Sequence, residues 1–312
     1  MTGAGGFVGS SLTRLLVEAG CKVHAVVRPG GDIRRLSALR DQISLLEADL
    51  FDLTAICSIV QQVRPELCFH LAWHLDKGNG QLNFEANSAS LVSSLQLATC
   101  LAKTECRRLI VTGSCLEYKR GLGYLRETSA TEPWSPYAAA KIALYTMLTA
   151  LASTSAMELA WARLFYLYGP GEDERRLVPS VIRSLLRGET AKTTPGGQVY
   201  DYLHVEDAAA ALWAIAQSEI CGPVNIGSGI PVVVKDLIIR IGQIMDREDL
   251  LQIGQLHYRG DEPMFVCADN QILRTGTQWI PRFDLFEGLE QTIRWWRASE
   301  SLAFRQPELA HS

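Results

Sequence analysis

The segment Thr2-Gly3-Ala4-Gly5-Gly6-Phe7-Val8-Gly9 restricts what this chain can fold into more than any other stretch. Glycines at positions 3, 6 and 9 let backbone N–H groups approach a pyrophosphate closely. Leu12, Leu15 and Leu16 then repeat at helical spacing up to Gly20, and the N-terminus of such a helix favours a bound anion. Lys22–Val27 reads as a strand, so loop, helix and strand together predict a dinucleotide-binding βαβ unit, although the loop departs from plain G-x-G-x-x-G spacing.

Only Met1 and Thr2 precede Gly3, whereas a strand delivering the chain to this loop needs about five residues. The expectation is a truncated first strand, with roughly five to eight residues ending in apolar β-formers upstream of Met1. A parallel sheet without its central strand leaves two neighbours with unpaired backbone groups.

Apolar runs and amphipathic segments alternate through the first half. Strands are predicted at Lys22–Val27, Ile43–Glu47, Leu67–Leu71, Arg108–Thr112 and Leu159–Leu164, with helices near 10–19, 53–63, 84–103 and 136–153. This is an α/β pattern: a Rossmann-type, doubly wound parallel sheet with helices on both faces. Beyond Tyr168-Gly169-Pro170-Gly171 the loops lengthen. There we read a helix near 177–187, strands at Asp201–His204 and Gly222–Ile226, a helix at Asp207–Gln217, and helices near 234–245 and 285–297. The expected division is an NAD(P)-binding domain at 1–168, with returning segments near 201–227, and a smaller C-terminal lobe at 169–312 that is mainly substrate-binding.

A net charge of −4 over 312 residues argues against a nucleic-acid binder, whose electrostatic footprint is basic. Eight cysteines, at 21, 57, 68, 100, 106, 115, 221 and 267, show no C-x-x-C pair and no metal-ligand spacing. Most fall in apolar stretches, which predicts buried, reduced thiols and no metal site. No secretory h-region precedes the glycine loop and no apolar run reaches membrane-spanning length, so a cytoplasmic protein is expected.

Tyr137-Ala138-Ala139-Ala140-Lys141 places a phenol and an ammonium at i and i+4, on one helix face. That pair suits acid–base work at a carbonyl, because a nearby cation stabilises the phenolate and lowers the tyrosine pKa. It follows the strand ending at Thr112 and the turn Gly113-Ser114-Cys115-Leu116-Glu117-Tyr118, so Ser114 sits at the C-terminal end of a parallel strand, where ligands of such sheets bind. Glu117 reads as a turn or structural carboxylate.

These motifs resemble the extended short-chain dehydrogenase/reductases, in their nucleotide-sugar epimerase, dehydratase and reductase branch. The resemblance covers nearly the whole chain and also rests on A-D-L at 48–50, H-L-A at 70–72, Asn87, R-L-F-Y-L-Y-G-P at 163–170, D-Y-L-H-V-E-D at 201–207 and N-I-G-S-G at 225–229. It implies that Tyr137 donates or accepts the proton, that Lys141 holds the nicotinamide ribose and tunes Tyr137, and that Ser114 hydrogen-bonds the reacting oxygen. It further implies a cofactor lined by Gly3, Gly6, Phe7, Val8 and Gly9 at the pyrophosphate, Asp49 and Leu50 at the adenine, Leu71, Ala72, Trp73 and Asn87 at its middle, and Leu164 and Phe165 at the nicotinamide. Members preferring NAD end the second strand in an acid, whereas this one ends Val26-Val27-Arg28-Pro29. Arg28 suits a 2′-phosphate, with Arg34 and Arg35 as helpers, which favours NADP(H) over NAD(H).

Within the branch, 4,6-dehydratases carry an Asp-Glu pair where this chain has Cys115 and Leu116. Epimerase-reductases of the GDP-fucose-synthase type place a cysteine two residues before the tyrosine of the turn and a histidine after the Gly-Pro, whereas here Cys115 is three before Tyr118 and Gly171 follows Pro170. Typical 4-epimerases have Asn, Asn and Arg where this chain has Tyr166, Arg176 and Tyr200. The resemblance therefore implies an NADPH-dependent reductase of a nucleotide-linked 4-keto-6-deoxyhexose, with a nucleotide-sugar 4-epimerase as the alternative and a non-catalytic cofactor-binding protein as a third reading. Tyr166, Arg176, Leu177, Tyr200 and Arg259 are the implied substrate contacts. The helices at 84–103 and 136–153 carry more apolar residues than one core-facing stripe needs, among them Leu91, Leu95, Leu97, Leu101, Leu144, Met147, Leu148 and Leu151. With the pairing common in the family, this implies a homodimer through those helices.

Overall fold

The computed structural model describes residues 1–74, 80–121, 123–258, 260 and 262–305. Its first half runs α1 (Phe7–Glu18), β1 (His24–Val27), β2 (Ser44–Glu47), α2 (Leu53–Val63), β3 (Leu67–His70), α3 (Phe84–Lys103), β4 (Arg108–Ser114), β5 (Gly123–Leu125), α4 (Pro136–Ser153) and β6 (Glu158–Leu164). The second half adds β7 (Tyr166–Tyr168), α5 (Leu177–Leu186), β8 (Ala191–Thr193), β9 (Val199–His204), α6 (Val205–Ala216), β10 (Gly222–Ile226), β11 (Pro231–Val233), α7 (Val234–Met245), β12 (Leu251–Ile253), β13 (Phe265–Ala268), α8 (Gln271–Thr277) and α9 (Leu285–Arg305).

Strands β3, β4, β6 and β10 pair in parallel, and β1 pairs with β2 in parallel. Thr2 joins the two sets through single parallel bridges to Val26 and His70. Its N–H donates to Phe69 O at 2.9 Å, and Val26 N–H donates to Met1 O at 2.8 Å. The spatial order is thus β2-β1-Thr2-β3-β4-β6-β10, a Rossmann sheet whose central strand is represented by one bridging residue. All seven residues of β4 are buried, as a strand covered on both faces requires. One face packs Leu12 and Leu16 of α1 against Ala208, Leu212 and Ile215 of α6. The other packs Ile56 and Val60 of α2 with Leu97 and Leu101 of α3 and Leu144 and Leu148 of α4.

The second lobe is built on a sheet of order β11-β9-β13-β5, with β7 pairing β9. Ile182, Leu185, Leu237, Ile241, Leu289 and Ile293 from α5, α7 and α9 fill its core. Strand β5 comes from the first half of the chain, and β10 returns to the main sheet from the second, so the chain crosses between the lobes more than once. Among the described residues no helix is long and apolar enough to cross a membrane.

The expectation of reduced cysteines needs correcting at one pair. Cys57 on α2 and Cys100 on α3 are joined as a disulfide with a Cα–Cα distance of 5.6 Å, because the packing of these helices turns both side chains into one contact. Cys68, Cys106, Cys115 and Cys267 are buried free thiols.

Candidate active site

The glycine loop folds into a cradle that side chains would fill. Gly3 has φ +72°, and a Cβ there would lie 2.7 Å from Ala72 N; a Cβ on Gly9 would overlap the Gly3 carbonyl oxygen. Helix α1 starts directly after Gly6 with no side-chain cap and no acidic residue in its first turn. Among the described residues no side chain caps its first N–H groups, and this geometry fits a dinucleotide pyrophosphate.

The proposed catalytic residues converge at the C-terminal end of β4. Ser114 is its last residue, and its hydroxyl oxygen accepts from Leu116 N–H at 3.2 Å. Tyr137 enters on the first turn of α4, which begins with Ser135 as N-cap and Pro136 at the position where a missing N–H costs nothing. Lys141, one turn later and 3% exposed, donates from Nζ to Thr112 O at 2.8 Å. Burial, reinforced by the charge of Glu117, raises the Tyr137 pKa well above that of a free phenol. Burial also pulls Lys141 down to about 7, against the pull of Glu117. The Tyr137 pKa is thus raised by burial rather than lowered as expected, and the Lys141 ammonium sits 5.8 Å from its ring centroid.

Glu117 is the residue whose weight sequence reasoning understated. It is fully buried, and it accepts from Ser114 N–H at 2.7 Å, Trp161 Nε1–H at 2.9 Å and Arg163 Nε–H at 2.8 Å. Its carboxylate thus pins the turn that presents Ser114. A charge three residues past an apolar strand end, with Arg163 and Trp161 both on β6, was the available signal.

The residues expected to line the cofactor take different places. Leu71 and Ala72 run beside the cradle: Leu71 N–H donates to Thr2 O at 3.3 Å. Asp49 caps its own turn by accepting from Phe51 N–H at 3.0 Å, and Leu50 packs beneath α2 and α3. Asn87 is 1% exposed and spends its polar atoms inside the protein, accepting from Trp73 and donating to Gly80 O and Asn83 O. Phe165 is 5% exposed against Tyr118, and Leu164 packs into the core beside it. Arg28 is exposed at the end of β1 and makes no ion pair among the described residues. Arg34 is instead paired with Asp32 at 2.8 Å, and Arg35 donates to Gly5 O at 3.2 Å and Gly171 O at 2.7 Å, so both implied helpers are already engaged.

On the second lobe Tyr166 stacks on Tyr200 with centroids 4.2 Å apart and planes within 9°. Tyr200 donates to Pro263 O at 2.8 Å. Arg176 is exposed at the N-cap of α5, close enough for its charge to bear on both Tyr137 and Glu172. Leu177 packs into the lobe's core. Glu172, which sequence reasoning missed, is raised to about 8 by burial. Arg259 lies outside the described residues.

The sequence model of the NAD dependent epimerase/dehydratase family matches residues 1–227. The chain belongs to that family. It is 25% identical over 308 residues to a CDP-abequose synthase of Salmonella typhimurium, covering 94% of this chain and 96% of that protein. It is 27% identical over 324 residues to a probable dTDP-glucose 4,6-dehydratase of Sinorhizobium fredii, covering 95% and 91%. In three dimensions it is similar to the UDP-glucose 4-epimerase of Thermotoga maritima with UDP-glucose, with a TM-score of 0.86, 23% identity, and coverage of 96% and 98%. Membership makes it an NAD(P)-dependent enzyme of the nucleotide-sugar epimerase, dehydratase and reductase group.

Proposed function

We propose that this chain reduces a nucleotide-linked 4-keto-6-deoxyhexose at C4 with NADPH. The observation that carries the reading is the meeting of Ser114, Tyr137 and Lys141 beside a turn that offers no second acid–base pair. Cys115 is buried, with its thiol pushed up to about 12, and Leu116 is apolar. Removing a proton and expelling a hydroxyl needs two such groups, so dehydration is not supported.

Bound NADPH supplies the hydride. Tyr137 donates its proton to the carbonyl oxygen as that oxygen gains electron density, and Ser114 orients the same oxygen by a hydrogen bond. The Tyr166–Tyr200 stack supplies an aromatic wall where typical 4-epimerases carry Asn and Arg, and such a wall suits a sugar with an apolar C6 methyl. Incubation with NADPH and TDP-, CDP- and GDP-linked 4-keto-6-deoxyhexoses tests the reading, with oxidation of NADPH as the expected result.

Arg28 carries the cofactor preference. Charge-assisted hydrogen bonds to phosphate are worth about 1.5–3 kcal/mol, so Arg28→Ala should weaken NADPH binding by about 10- to 150-fold and leave NADH binding unchanged. Calorimetric titration of both cofactors reads this; wild-type protein that binds NADH as tightly as NADPH contradicts it.

A homodimer through α3 and α4 is supported by Phe84, Val92 and Met147, which are 72%, 52% and 55% exposed. Leu148 is 1% exposed and belongs to the core, as do Leu97, Leu101 and Leu144. Glutamate at 148 would therefore unfold the chain rather than split a dimer. Val92→Glu with Met147→Glu should convert a dimer to a folded monomer in sedimentation at micromolar concentration; a wild-type monomer with full activity contradicts the assembly.

A further inference from the structure

Trp73 follows β3 outside any regular element, and its indole covers Lys141. The Nζ atom lies 3.8 Å from the indole ring centroid. The indole N–H donates to Asn87 Oδ1 at 2.8 Å, and Asn87 Nδ2 donates in turn to Gly80 O and Asn83 O, both at 2.7 Å. The Tyr137 ring meets the indole nearly at right angles, with centroids 6.0 Å apart. Lys141 is thus enclosed by the Thr112 carbonyl, the Trp73 indole face and, farther off, the rings of Tyr137 and Trp161 at 5.8 and 5.9 Å. An aromatic face attracts a cation electrostatically, and most strongly where water is excluded.

We propose that Trp73 is a positioning residue for Lys141: its indole face, aimed by the Asn87 carboxamide, holds the buried ammonium charged and in place for the cofactor. The inference rests on the reading of Lys141 as the lysine that serves the cofactor. It also assigns Asn87 a task at one remove, since its polar atoms are turned to Trp73 and to backbone rather than to a ligand. The other titratable or charged groups facing Lys141 are Glu117 in the turn after β4, whose charge favours the ammonium; His70 on β3, pushed down to about 3 by burial and so neutral; and Tyr137 on α4. Arg163 on β6 is spent on Glu117. Burial pulls Lys141 towards its neutral form, whereas an aromatic face favours the charged ammonium.

The sign of the effect follows. Without the ring face the ammonium is less favoured, so the neutral amine takes over at a lower pH and cofactor affinity is lost earlier as pH rises. The test uses biosynthetic 5,7-difluorotryptophan, which drains the negative potential of the ring face with little change of shape, together with Trp73→Leu and Trp73→Phe. NADPH affinity is read from nucleotide fluorescence without substrate, at pH 5.5 and pH 8.5. At pH 8.5 the difluoro protein should bind about threefold more weakly and Trp73→Leu about tenfold more weakly, while at pH 5.5 both stay within about twofold of the unlabelled wild type. Trp73→Phe, which keeps a ring, should stay closer to wild type than Trp73→Leu, and fluorination of the Leu variant, where only the more distant Trp161 indole still faces Lys141, should add less than it does to the wild type. Equal losses at both pH values, or no fluorine effect at either, would overturn the inference. Lys141→Met is the reference: if it binds NADPH as wild type does, the reading of Lys141 fails and the inference falls with it.

Discussion

Tyr137→Phe should lower turnover by about a hundred- to ten-thousand-fold, the range that a positioned general acid contributes. The loss should fall on kcat and not on cofactor affinity, because the phenylalanine ring retains the packing against Trp73 and only the hydroxyl disappears. Stopped-flow measurement of NADPH oxidation, with NADPH affinity measured separately, distinguishes the two. A Phe variant with near-normal turnover would remove Tyr137 from the chemistry. One with turnover and affinity lost together would point to a collapsed site.

Glu117→Ala should be the most destabilising single change near the site, by about 3–5 kcal/mol, the usual cost of breaking a buried ion pair from one side. The Arg163 side chain, 4% exposed, would keep its bonds to Tyr118 Oη and Glu127 O but lose its counter-ion. The N–H of Ser114 and the indole N–H of Trp161 would be left buried without their acceptor. Urea unfolding reads the effect. The double variant Glu117→Leu with Arg163→Met should recover a substantial part of the loss, since replacing both partners by apolar groups removes the stranded charge. A Glu117→Ala protein within about 1 kcal/mol of wild type would show that the pair does not hold the turn.

The parallel sheet was legible because its inner strands β3, β4 and β6 are largely buried and so stand out as apolar runs; the five expected strands agree with the observed ones within two residues at either end. Short strands such as β5 and β13 carry too few residues to announce a period, and they form because each finds a partner far away in sequence, Val266 against Gly123 for example. The pairing of Tyr137 and Lys141 on one helix face was legible from spacing, since i and i+4 fix them there wherever that helix lies. What could not be read was the balance of charge and burial. Nothing in the spacing of Tyr137 and Lys141 shows that Trp73 covers the ammonium, or that Glu117 reaches behind Ser114 to Arg163. The same limit explains α4, where Met147 and Leu148 are equally apolar in sequence yet lie on opposite sides of the protein surface.

The central claim, net reduction at C4, is tested most directly by following NADPH and sugar together. A TDP-, CDP- or GDP-linked 4-keto-6-deoxyhexose is incubated with excess NADPH, absorbance at the nicotinamide band is recorded, and the sugar is examined by NMR. The account predicts one NADPH consumed for each 4-keto group converted to a C4 alcohol, with no reaction when NADPH is left out. Interconversion of C4-epimeric nucleotide sugars without net consumption of NADPH would contradict it.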